Sequence, residues 1–143
     1  MGLLNGFRPA RFVATVLACF AFSLLYNALV HLIILDEANA AIAPLRRPDF
    51  SSYLGLSIAA TFLVCALFVF IYLCLVEKKS FRTGLLFGFC TGLLLAVVVD
   101  INAYVLYPLP FSLVWKWAVF GVGEFSLMGL LAAWILPRHS GGR

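Results

Sequence analysis

Apolar positions along this chain fall into four long runs, and most charged positions gather at the breaks between them. The runs cover roughly Phe12–Leu35, Tyr53–Val76, Thr83–Leu106 and Ser112–Leu136. A helix needs about 20 mostly apolar residues to cross the hydrocarbon core of a bilayer. Each run is therefore predicted to be a transmembrane helix. Transmembrane strands are much shorter, and a segment in lipid must satisfy its own backbone hydrogen bonds. The breaks are sharp. Asp36 to Ser52 holds Asp, Glu, two Arg and two Pro; Glu77 to Arg82 reads EKKSFR; Tyr107 to Phe111 reads YPLPF, whose prolines stop a helix. The pattern predicts one membrane domain over residues 1–143, an all-α integral membrane four-helix bundle.

Within the runs, small and polar residues recur at every fourth position, and such residues lie on nearly one helix face. The first run has Thr15, Cys19, Ser23, Asn27 and His31; the second has Tyr53, Ser57, Thr61 and Cys65. The third has Gly84, Gly88, Gly92 and Ala96, with Asp100 next on the same line. The fourth has Gly121, Glu124, Met128 and Ala132, with Gly129 alongside. Small residues let membrane helices approach closely. Gly84, Gly88, Gly92, Gly121 and Gly129 are therefore predicted to be helix-packing positions.

Composition strengthens the membrane reading. The chain is 64% hydrophobic and only 11% charged, with a mean hydropathy of +1.09. A soluble domain carries about 25% charged residues. The net charge of +4 does not point to nucleic acid, because the basic residues sit in short clusters beside the apolar runs. Those clusters give an orientation. Arg8, Arg11, Lys78, Lys79, Arg82, Arg138 and Arg143 fall on one side, and only Arg46, Arg47 and Lys116 on the other. The richer side should be cytoplasmic, with both termini inside. Tyr104, Tyr107, Phe111, Trp115 and Trp117 then form an aromatic belt at the outer interface. The first run is longer than a signal-peptide core and is expected to remain as a span.

Candidate chemistry lies in the polar residues that the spans carry. A charge near mid-membrane costs at least ~2.5–3.5 kcal/mol and is rarely left without a partner. At about 1.5 Å per residue, Asn27, His31, Asp100, Asn102 and Lys116 reach the outer half of the bundle, with Glu124 near the midplane. Asp100 is expected to bond His31 or Lys116 as a structural lock. A proton relay or substrate pocket is the next reading, and a catalytic carboxylate follows. A metal site of His31, Asp100 and Glu124 has suitable ligand types but ranks last, and neither a metal nor a cofactor is expected. Lys116 is near enough to the interface to extend its amine outward. Glu124, flanked by Gly121, Gly123 and Phe125, has no such route.

No P-loop, HExxH, GxSxG, dinucleotide fingerprint or CxxCH occurs. Cys19, Cys65, Cys74 and Cys90 fall inside apolar runs without a CxxC and read as buried free thiols. The segments YNALVH (Tyr26–His31), GLLFGFCTGLLLAVVVDINAY (Gly84–Tyr104), YPLP (Tyr107–Pro110) and GVGEFSLMGLLAAWI (Gly121–Ile135) resemble small four-span bacterial inner-membrane proteins of unknown function. The resemblance implies a bacterial inner membrane and supplies no catalytic residue. The leading functional expectation is a non-enzymatic accessory bundle protein that oligomerises or joins a larger membrane complex, with the lipid bilayer as its surroundings. The alternative is a small transporter or proton-coupled carrier using intramembrane Asp, Glu and His.

Overall fold

The computed structural model describes residues 8–136. The polar tail Pro137–Arg143, expected to be disordered, lies outside the described residues, as do Arg138 and Arg143. Four helices are each long and apolar enough to cross a membrane: α1 (Pro9–Ile34), α3 (Phe50–Leu75), α4 (Phe81–Leu106) and α5 (Phe111–Ile135). A short helix, α2 (Asp36–Ala41), lies in the first connection. No strand occurs among the described residues. The architecture is an all-α four-helix bundle and fits a multi-pass membrane protein.

Local chemistry explains where the helices begin. Pro9 occupies the first turn of α1, where its missing N–H breaks no helical hydrogen bond. In the EKKSFR turn, Ser80 Oγ accepts from the Thr83 backbone N–H (3.2 Å). Thr83 Oγ1 accepts from the Ser80 N–H (2.9 Å). This reciprocal cap satisfies two donors that would otherwise be orphaned at the start of α4. Pro110, in extended conformation, precedes α5. The bundle thus has a turn end, where α3 meets α4, and a loop end, which carries α2 and the YPLP connection.

Two helices hold the bundle together by touching backbone to backbone. Gly84, Gly88, Gly92 and Gly129 are all buried. A Cβ on Gly84 would collide with the Gly129 carbonyl and lie 2.7 Å from Ala133 Cβ. One on Gly88 would collide with the Phe125 carbonyl, and one on Gly92 would lie 2.8 Å from Val122 Cα. The glycine ridge of α4 is therefore seated on α5 of the same chain. Gly121 has a different role, since a Cβ there would meet nothing within 4 Å.

The remaining core gathers towards the turn end. Val16 and Cys19 of α1, Cys65, Phe68, Val69 and Tyr72 of α3, and Met128 and Ala132 of α5 are buried together. Phe68 packs on Phe87 (5.0 Å between centroids) and Phe125 (5.6 Å). Towards the loop end α3 stands apart, and every residue from 51 to 60 is exposed. The polar stripe expected on the second run therefore does not face the bundle above Cys65. Thr61 meets its hydrogen-bonding need locally, donating to the Ser57 carbonyl (3.0 Å). Of the cysteines, all free thiols, Cys19 and Cys65 are buried, Cys74 is half-buried and Cys90 is exposed.

The seam makes a clear expectation. Gly88→Ala should lower stability by about 1–3 kcal/mol, the usual range for overpacking. Gly55→Ala, where nothing lies within 4 Å, should cause no loss. Thermal unfolding of both variants in detergent checks this, and equal melting would show that the seam is not load-sensitive.

Candidate binding site

Near the middle of the bundle, α1 and α5 are joined by a polar latch. Ser23, Tyr26 and Asn27 lie one turn apart on α1, so their side chains reach the same stretch of α5. Ser23 Oγ donates to Glu124 Oε1 (2.5 Å). Asn27 Nδ2 donates to the same oxygen (2.8 Å) and to the Ser23 carbonyl (2.9 Å). The Tyr26 hydroxyl donates to the Phe120 carbonyl (3.0 Å). Glycine at 123 makes that approach possible, because a Cβ there would lie 3.0 Å from the hydroxyl. Glu124 is 8% exposed, and among the described residues its Oε2 accepts no hydrogen bond.

Beyond the latch, towards the loop end, the helices border a partly open cavity of about 520 Å³. This lies within the ~300–1,000 Å³ typical of small-molecule sites. Asn27, His31, Asp100 and Glu124 all line it, with Tyr26, Trp117, Phe120 and Phe125 among its aromatic walls. Gly121 also lines it, which explains the open space beside that glycine. Among the described residues, no Lys or Arg contributes to the lining. Asp100 is half-buried and has no hydrogen bond or ion pair to a described residue. The expected lock between Asp100 and His31 or Lys116 is therefore not formed.

Two walls of the cavity depart from regular α-geometry. Val30–Ile34 in α1 and Ala96–Ile101 in α4 are π-helical turns. The Leu35 N–H reaches back five residues to the Val30 carbonyl (2.8 Å). Such wide turns often mark functional positions. Here they carry His31 and Asp100.

The connection after α1 folds back over the loop end of the cavity. Asn39 of α2 is 5% exposed. Its Nδ2 donates to the His31 carbonyl (3.0 Å) and lies 3.3 Å from His31 Nδ1. Its Oδ1 accepts from Trp117 Nε1 (3.3 Å). Asn39 thus ties α2 to both α1 and α5 above the cavity.

Of the six polar residues proposed as a cluster, the structure brings Asn27, His31, Asp100 and Glu124 together around one space. Asn102 and Lys116 stand outside it. Asn102 is exposed and donates to its own helix at the Val98 carbonyl (2.7 Å); Lys116 is exposed. Tyr26, Asn39 and the inward role of Trp117 were not visible from the pattern. Trp117 was placed in the aromatic belt, and Asn39 in a loop. Nothing in the short DEANAA segment singles out Asn39, whose burial is a feature of the fold. No group of three or more His, Cys, Asp or Glu suited to a metal occurs among the described residues.

No protein-family model, curated protein or solved structure matches the chain.

The latch predicts a pattern of substitutions. Glu124→Gln keeps a carbonyl oxygen for both donors and should melt close to wild type. Glu124→Leu leaves Ser23 and Asn27 without their acceptor and should cost about 0.6–1.7 kcal/mol for each interhelical bond lost. Adding Ser23→Ala should recover part of that loss, because one stranded donor is removed. Thermal melts in detergent of wild type, Glu124→Leu, Ser23→Ala and the double variant, read as a double-mutant cycle, measure the coupling. Independent, additive losses would mean that the latch does not couple α1 to α5.

Proposed function

We propose that this chain is a small membrane carrier that holds its solute in the cavity and exchanges it against protons at Asp100 and Glu124. One observation carries the reading: a cavity of ligand size reaches both intramembrane carboxyl groups. Intramembrane carboxyl and imidazole groups that face a cavity are the usual parts of proton-linked pathways. Arg8, Arg11, Lys78, Lys79 and Arg82 stand at the turn end, which favours that end as cytoplasmic. The cavity then lies in the outer half of the membrane, and the membrane is a bacterial inner membrane. The wide turns in α1 and α4 offer places where these walls can bend without breaking the glycine seam.

The leading expectation from the sequence, an oligomerising accessory protein, rests on the glycine ridge and the lack of reaction motifs. That ridge is covered by α5, so it offers no free face for a second chain. The carrier reading is the better supported.

Dicyclohexylcarbodiimide tests it. This reagent partitions into apolar sites and adds to a protonated carboxyl group to give a stable acylurea, visible by mass. Asp100 and Glu124 should be modified, most at low pH and less as rising pH removes their protons. Tyr26 and His31 face the same space and are not expected to form the adduct. Asp100→Asn and Glu124→Gln should each abolish the adduct at their own position. If neither carboxyl reacts at any pH, both are sealed in dry packing and the carrier reading fails.

A further inference from the structure

The cavity is unusual in what it combines. Its ionisable groups are two carboxyls, one imidazole and one phenol, with no Lys or Arg. Glu124 is more than nine-tenths buried, and one of its oxygens accepts two hydrogen bonds while the other accepts none from described residues. Asp100 likewise accepts none from described residues. Ionised carboxylates in such a place need a positive partner. The surrounding aromatic rings attract a cation through their negative faces, and aliphatic side chains supply most of the rest.

The shape adds a route. Val64 of α3 and Val99 of α4 both line the cavity, yet they are 41% and 56% exposed. The cavity therefore opens sideways between α3 and α4, where α3 stands away from the bundle. Trp117 and His31, which also line the cavity, are tied together by Asn39. A lateral opening at this depth faces acyl chains, so a ligand that uses it must itself dissolve in lipid.

We infer that the ligand is a lipophilic organic cation, taken from the membrane through the gap between α3 and α4 and held against Asp100 and Glu124. This rests on the carrier reading for the site but specifies the charge, polarity and approach of what it binds. Charge complementarity selects the occupant. A lipid-soluble anion would meet two carboxyls and no Lys or Arg, with His31 the one basic group in the lining. A neutral apolar molecule would leave those carboxyls unpaired.

Tetraphenylphosphonium and tetraphenylborate make a matched pair of probes, nearly equal in size and opposite in charge. Equilibrium dialysis against the purified full chain in detergent should show saturable binding of the phosphonium that the borate does not displace. Asp100→Asn and Glu124→Gln should each weaken binding at least about tenfold. Val99→Trp, which fills the lateral opening, should block binding. Val97→Trp, on an exposed position outside the lining, should not. Bound phosphonium should also protect Asp100 and Glu124 from the carbodiimide.

Binding no greater than to empty detergent, equal binding by the carboxyl variants, or equal competition by the borate would overturn the inference. The carbodiimide separates this failure from that of the carrier reading. If the carboxyls react but the phosphonium neither binds nor protects, the site is open and the ligand class is wrong. If the carboxyls do not react at all, the site itself falls.

Discussion

Everything in this bundle is arranged around one contact, the place where the glycines of α4 lie directly against the backbone of α5. In lipid, apolar surface gains little by leaving one hydrocarbon environment for another, so helices associate through close packing and interhelical hydrogen bonds. Four glycines provide the close packing. They make α4 and α5 a single rigid slab, and the other two helices attach to it by different means. Near the turn end, α3 attaches through aromatic rings. Near the centre, α1 attaches through hydrogen bonds to Glu124 and Phe120. The space between these attachments and the loop-end cap is the cavity.

This division explains why a buried carboxyl is tolerated at position 124. Its binding to Ser23 and Asn27 replaces water that the bilayer does not offer, and the same bonds fix α1 at the height where His31 meets the cavity. Asp100 has no such support. Its neighbours on the regular four-residue line are glycines and alanine that press on α5, whereas it borders open space. Two carboxyls in one cavity thus have different surroundings, one held by Ser23 and Asn27 and the other without a hydrogen bond to a described residue.

The helical class and the membrane setting were legible because long apolar runs have few alternative structures in lipid. The polar faces of α1 and α5 were legible for a related reason: Ser23, Asn27 and Glu124 sit where an ordinary α-helix places them. The features that escaped arise where regular geometry fails or where distant segments meet. Counting by four follows α4 well through the glycines, then loses meaning in the wide turn at Ala96–Ile101. The stripe on α3 carries the same periodic signal as that on α1, yet half of it faces away, because periodicity names a face but not its neighbour. Asn39 was hidden because a loop's return over the bundle is a tertiary event. Asn102 and Lys116 lie on helix faces turned away from the cavity, because spacing along the chain does not fix rotation about the helix axis.

The wide turn in α4 has a bearing on how this sequence can change over generations. A regular α-helix advances about 100° per residue, so adding or losing one residue re-aims everything beyond. A π-helical turn already contains one residue more than its α-helical counterpart. Loss of a residue there would be absorbed as a return to ordinary winding, and the glycine seam below would keep its register. The same loss between Gly84 and Gly92 would pull the seam apart. The helix therefore has a conservative half that must keep its length and a permissive half that can be retuned. The cavity-facing carboxyl stands in the second.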